Sequence, residues 1–314
     1  MTRLLKNPLL LVIGLALVVA LLPLLLPSTF YVRVVALVFI NALAVLGLNL
    51  LMGFAGQVSL GHAGFFGIGA YAVAVGPTHL GMPTWLSLIC GTVLAALVAF
   101  VVGRPILKLR GYYLAVATLG MGMLIAMVVS NEAQITGGPN GMPVPRLVLF
   151  GWRTAGPLIW YWISGVTLVI GVWIAINLIE SPTGRAFRAI HDSETAARVL
   201  GVDVARYKLI AFVLSAAYAA IAGSYFVLFD GFVTPETASF LRSIEFVVMA
   251  VLGGLGSIFG SIVGATILVL LPQFLTVFHD YEHIVLGTII ILFLIFLPAG
   301  IVPTASSFFK RRSA

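Results

Sequence analysis

Apolar runs long enough to cross a bilayer recur along this chain, and nothing constrains its fold more. A spanning helix needs about 20 mostly apolar residues. Nine runs meet that length: 8–27, 30–52, 57–77, 84–103, 112–131, 157–179, 209–230, 258–278 and 283–302. A tenth, 242–255, has 14 residues. At about 1.5 Å per residue it reaches roughly two-thirds of the hydrocarbon core, so it reads as a short span or a half-helix. Composition agrees: 61% of residues are hydrophobic and 9% are charged, against about 25% charged in a soluble domain. The expected fold class is all-α, a polytopic helical membrane protein.

Basic residues supply the topology, because Lys and Arg collect in short cytoplasmic loops. With the N-terminus (Arg3, Lys6) inside, the inside loops also hold Arg104, Lys108 and Arg110, the five basics of 185–208, and Lys310, Arg311 and Arg312. Only Arg33, Arg146, Arg153 and Arg242 fall outside. Both termini are then cytoplasmic and the number of crossings is even. Segment 242–255 counts as a crossing, giving about ten helices, or nine if it is re-entrant. Topology thus accounts for the net charge of +7 and the pI of 9.8, and neither carries a nucleic-acid meaning. The first run has a basic start, but it is longer than a typical signal core, and Pro23, Pro27 and Ser28 form no small-residue cleavage site. It reads as a retained span.

Several functions are disfavoured. Cys90 is the sole cysteine, so no internal disulfide forms. No G-x-x-x-x-G-K-[ST] occurs, and the lysines are only Lys6, Lys108, Lys208 and Lys310. If ATP drives this protein, another chain hydrolyses it. The longest outside loop, 132–156, is too short to bury a core, leaving one transmembrane domain over 1–314. A proton-coupled carrier needs buried acids or histidines, and only His62 and Glu245 are eligible. Glu245 is expected to pair with Arg242 near a helix end. His79 and His191 share no span face with His62, and His279 and His283 lie in the outside loop HDYEH, where solvation explains them better than a metal does. An enzyme reading ranks lowest.

Three features carry positive information. Segment 185–208 is the one long charged, helix-competent stretch, with three acidic residues beside its five basics. It must be extramembrane. From Arg188 to Val204 a helix places Ala196, Ala197, Val199 and Leu200 among His191, Asp192, Glu194 and Arg198, with Asp192 or Ser193 as cap and Gly201 as stop. A small apolar face, chiefly alanine, suits a protein groove better than lipid. The second feature, residues 53–71, combines six glycines with Gln57, Ser59 and His62 at a membrane boundary. It reads equally as a partly unwound helix beside a translocation path that includes Asn49 and Thr118, or as close packing whose polar groups bond neighbouring helices. Asn41 and Asn49 share a helical face and read first as interhelical glue. The third is small-residue spacing for helix packing: Gly256, Gly260 and Gly264 in one span, and Ala216, Ala220 and Ser224 in another, with a break at residues 253–256.

Glu194-Thr195-Ala196-Ala197-x-x-x-Gly201 resembles the EAA-type loop of ABC importer permeases, the element that inserts into a cleft of the ATPase subunit, with Thr195 where that motif has Glu. The stretches GLNLLMGFAGQVSLGHAGFFGIGAYAVA (47–74), RGYYLAVATLG (110–120), TGGPNGM (136–142) and VLGGLGSIFGSIVGA (251–265) are similar to the branched-chain amino acid permease family, in particular its LivM-type subunits. The resemblance implies a ten-helix, type II-like importer permease whose 185–208 segment, including Thr195, is the cytoplasmic coupling loop. It implies a second related permease, two ATPase subunits that hold the ATP and Mg, and a periplasmic substrate-binding protein, all at a bacterial inner membrane. Branched-chain or other hydrophobic amino acids are the first expectation for substrate. Urea or short amides, moved by related permeases, and a stand-alone facilitative channel are the alternatives.

Overall fold

The computed structural model describes residues 8–149, 152–154, 156–275 and 282–305. Arg3, Lys6, His279, Lys310, Arg311 and Arg312 lie outside the described residues. Helices occupy all ten apolar segments: α1 Pro8–Leu25, α2 Thr29–Asn49, α3 His62–Leu80, α4 Thr84–Ile106, α5 Tyr112–Asn131, α7 Pro157–Glu180, α10 Val204–Asp230, α11 Phe240–Gly253, α12 Ile258–Leu275 and α13 Glu282–Phe296. Three short helices, α6 Ala133–Thr136, α8 Pro182–Asp192 and α9 Glu194–Val199, lie in the loops. Among the described residues, six helical segments are long and apolar enough to cross a membrane by length and composition, including Thr29–Phe54 and Val204–Asp230. The chain is an all-α, multi-pass membrane protein. Its strands are two short antiparallel ribbons, Met142–Pro143 (β1) on Phe232–Val233 (β4) and Val148–Leu149 (β2) on Trp152–Arg153 (β3). They fold loop 132–156 back onto the bundle, where Met142, Val144 and Leu147 pack with Tyr71, Trp160 and Leu228.

Hydropathy does not rank these helices, because lipid and protein are equally apolar neighbours; small residues do. α2 is central, with 89% of its most apolar window buried, whereas α4 and α12 are each only 28% buried and form the rim. α3 and α10 pack closest. A Cβ on Gly69 would enter the backbone of Ala220, and one on Gly223 that of Phe66, while the Ser224 hydroxyl donates to the Gly69 carbonyl at 2.9 Å. Ala216, Ala220 and Ser224 are fully buried at 0% exposure, as their spacing predicts. α1 leans on α7, where a Cβ on Gly165 would lie 2.7 Å from Val19 and the Tyr161 hydroxyl donates to the Val19 carbonyl at 2.7 Å.

Two expectations change. Gly256, Gly260 and Gly264 do not share one helical face, because Gly256 lies in the turn before α12 with φ +75°. Gly260 and Gly264 do pack α12 against α11, at the backbones of Gly253 and Met249. The break at 253–256 is present, and Asn49 holds it. Its amide donates to the carbonyl of Ser257 at 2.8 Å and the hydroxyl of Ser261 at 2.9 Å, and its Oδ1 accepts from Gly256 N–H at 2.9 Å. Asn49 is therefore glue. The run starting at residue 57 begins its helix only at His62. α2 ends in a π-helical turn, Leu50–Phe54, and 55–61 leaves the helix with Gly56 at φ +66°.

Candidate functional site

The charged loop is two short helices rather than one. Ser181 caps α8, its Oγ accepting from Thr183 and Gly184 N–H, and Pro182 takes the first helical position, where no N–H is missed. Phe187 and Ile190 bury the inner face of α8, and Arg188 donates to the Ile179 carbonyl at 3.0 Å at the end of α7. Ser193 ends α8 and caps α9, accepting from Ala196 N–H at 3.3 Å. Gly201 stops the loop at φ +83°. Of the predicted docking residues, Arg188, His191, Asp192, Thr195, Ala196, Arg198, Leu200 and Gly201 are exposed and Glu194 is partly buried. Ala197 is not: at 1% exposure it packs with Ile190 and Val204 and anchors the loop from within. The exposed apolar tip is Val199 and Leu200, at 83% and 79%. Two large aliphatics beside a glycine are the signal that the alanines obscured.

Electrostatics fasten the loop to the bundle. Lys208, 4% exposed in its side chain, forms an ion pair with Glu194, and Arg110 approaches the same carboxylate at 3.6 Å. The pair lies at a cleft of about 710 Å³ also lined by Arg104, Lys108, Arg198 and Arg206. Removing one partner of a buried pair leaves a lone charge in a poor solvent. Lys208→Met is expected to cost about 1–3 kcal/mol, less than a fully buried pair because Glu194 keeps some water and Arg110. Adding Glu194→Gln should recover much of it. Thermal unfolding of both variants checks this, and equal losses in the single and double variants would refute it.

The unwound segment 55–61 meets this loop directly. A Cβ on Gly56 would lie 3.2 Å from the Cα of His191, and the Gln57 amide donates to the Lys208 carbonyl at 3.3 Å. The far end of the segment grips other helices. Leu60 N–H donates to the Thr118 hydroxyl on α5 at 3.1 Å, and Ala63 N–H donates to the Ser243 hydroxyl on α11 at 3.0 Å. His62 bridges α2 and α10, contacting the Ala44 carbonyl at 3.1 Å and the Ser215 hydroxyl at 3.3 Å. Gln57, Ser59, His62 and Thr118 are each 1% exposed, in seams between helices. Gln57 Oε1 and Ser59 Oγ have no hydrogen-bond partner among the described residues.

Arg242 and Glu245 pair as expected, at 2.6 Å. Their depth differs from expectation. Arg242 also donates to Asn41 Oδ1 at 2.8 Å, and Asn41 stands midway along the apolar segment Thr29–Phe54. Arg33, which meets Asp230 at the C-terminal end of α10, lies eight residues earlier on α2, about 12 Å along the axis. The Arg242 guanidinium therefore stands level with the middle of that apolar segment. Counting charges by loop misses this because the 232–239 stretch descends before α11 begins, packing Ala238 against Gly67 of α3.

A central polar seam, a charged loop locked to it and a rim of apolar helices define a membrane transport subunit. Residues 30–294 match the family described as branched-chain amino acid transport system, permease component. The chain is 36% identical over 296 residues to the high-affinity branched-chain amino acid transport system permease protein LivM of Escherichia coli (strain K12), covering 87% of this chain and 70% of that one. It is 35% identical to LivM of Salmonella typhimurium, covering 85% and 69%, and 27% identical to the permease LivH of Escherichia coli, covering 83% and 90%. No solved structure matches. The chain belongs to the branched-chain amino acid transport permease family, on its LivM side. Like these relatives it is a transport subunit and not an enzyme.

Proposed function

We propose that this chain is one of two permeases in an ATP-driven importer of branched-chain and related apolar amino acids at the bacterial inner membrane. The second permease is a relative of the LivH type. Two cytoplasmic ATPase subunits supply ATP and Mg, and a periplasmic binding protein delivers substrate. The single domain crosses the membrane ten times with both termini inside, and 232–253 completes one crossing as irregular backbone followed by the short α11.

The observation that carries the mechanism is the contact of loop 185–208 with the unwound segment 55–61. When ATP binding closes the ATPase pair, each cleft moves the tip it holds. That motion passes through His191 and Lys208 to Gly56 and Gln57, then through Leu60 and Ala63 to α5 and α11. The unpartnered Gln57 Oε1 and Ser59 Oγ favour this relay, since an unmade buried hydrogen bond costs about 1–3 kcal/mol and so narrows the gap to another arrangement.

Crosslinking tests the docking assignment. In a Cys90→Ser background, Leu200→Cys is expected to form a thiol-specific crosslink to the ATPase subunit in the assembled transporter, with a yield that changes when ATP is added. No crosslink in a complex that still hydrolyses ATP would sink the reading.

A further inference from the structure

A charge pair inside a bilayer is expensive and is kept where it meets water, a partner or a solute. Arg242 and Glu245 lie outside the relay just described. Three rings surround the guanidinium, with centroids 5.5 Å away for Phe66 and 5.0 Å for Phe226 and Phe246. Such rings hold a cation without neutralising it. Asn41 fixes one of its terminal nitrogens and Glu245 the other. The two side chains are 18% and 47% exposed, so the pair forms a wall and not a core contact. α11 is divided lengthwise to match: Leu241, Ile244 and Glu245 are exposed, while Ser243, Phe246 and Ala250 are buried.

That wall faces a cavity of about 400 Å³, within the roughly 300–1,000 Å³ of small-molecule sites. The rest of its lining is mostly aliphatic, with Leu37 from α2, Val248 from α11, Leu268 and Val269 from α12, and Ile290 from α13, and the amides of Asn41 and Gln273 also line it. One cation, one anion and an apolar wall match a free amino acid with an aliphatic side chain. We infer that this cavity is the permease's own binding site for the transported zwitterion: Arg242 receives the α-carboxylate, Glu245 the α-ammonium, and the aliphatic wall the side chain. The inference rests on the importer reading above.

In the empty cavity the two side chains satisfy each other. With solute bound, their mutual contact is exchanged for two contacts of the same signs, so neither charge is stranded at depth. An uncharged solute such as urea offers no such exchange and leaves the pair shut. Ser243, next to Arg242, accepts from Ala63 N–H, so α11 is also where the relay from the loop ends. Movement of α11 would bring the site to one side of the membrane and then the other.

The test uses the complete transporter in proteoliposomes with saturating, leucine-loaded binding protein, and measures leucine uptake together with ATP hydrolysis. Glu245→Gln keeps the size of a half-exposed side chain and is expected to fold. Loss of one ionic contact at low dielectric should lower uptake about tenfold or more, while receptor-stimulated hydrolysis stays within about twofold, because the loop and its relay are intact. Arg242→Lys keeps the charge but not the planar fork, and uptake should fall between Glu245→Gln and wild type. Uptake by Glu245→Gln within about twofold of wild type overturns the assignment, as does a parallel fall in uptake and hydrolysis, which marks a structural role. A wild-type transporter whose ATP turnover responds to receptor but which carries no leucine overturns the substrate reading instead.

Discussion

Gly69→Val is expected to leave little folded protein. At Gly69 a Cβ would lie 2.6 Å from the Cα of Ala220 and closer still to its carbonyl oxygen, so the obstacle is backbone on both sides of the α3–α10 crossing. A flexible side chain could swing away; a helix backbone inside the most buried part of the bundle must shift as a unit. Overpacking costs about 1–3 kcal/mol where neighbours can adjust, and about 3 kcal/mol or more is expected here. Gly120→Val on α5 is the matched control, since nothing lies within 4 Å of its Cβ. That change should stay within about 0.5 kcal/mol of wild type. Detergent-solubilised yield, monodispersity and thermal unfolding compare the two. A monodisperse Gly69→Val protein with an unchanged Tm would show that α3 and α10 do not approach so closely in the membrane.

Leu200→Asp should abolish transport while leaving the chain folded and inserted. Val199 and Leu200 are among the most exposed aliphatic side chains of the described residues, and they stand at the tip of the charged loop. Their burial in a partner's cleft would make them hot spots, worth about 2 kcal/mol or more each, or a loss of roughly thirtyfold in association. A carboxylate at position 200 adds desolvation to that loss. Leucine uptake and recovery of the ATPase subunit with the tagged chain should fall together. Arg185→Ala, exposed at the opposite end of the loop, should change neither. Normal uptake by Leu200→Asp would move the docking face elsewhere on the loop.

Much of the site is legible in the residues alone, for reasons that differ from part to part. Segment 185–208 stands out because so many charges cannot enter a bilayer, and Ser193 and Gly201 mark its cap and stop through their local backbone preferences. The glycines at 53–71 announce irregular backbone, and 55–61 is indeed unwound. Which polar groups there meet which helices is not written locally. Gln57 reaches Lys208, 151 residues away, and Asn49 holds a turn more than 200 residues distant.

The errors share a cause. Ala197 looks like part of the docking face and is an internal anchor. Gly256 looks like part of a helical stripe and is a turn residue. Arg242 is assigned to a loop and reaches Asn41, midway along the apolar segment Thr29–Phe54. Each was read from position along the chain, and each depends on the direction the backbone takes.

Composition and length alone fix the class, the number of apolar segments and the one long charged loop, because transfer of charge or apolar surface between water and lipid depends on little else. Only the packed fold shows which helix is central, what the loop touches and which helix the Arg242–Glu245 pair leans on. Lipid and protein interior are nearly the same solvent to an apolar side chain, so the choice between them falls to close fits such as Gly69 on Ala220, which exist only once the helices have met.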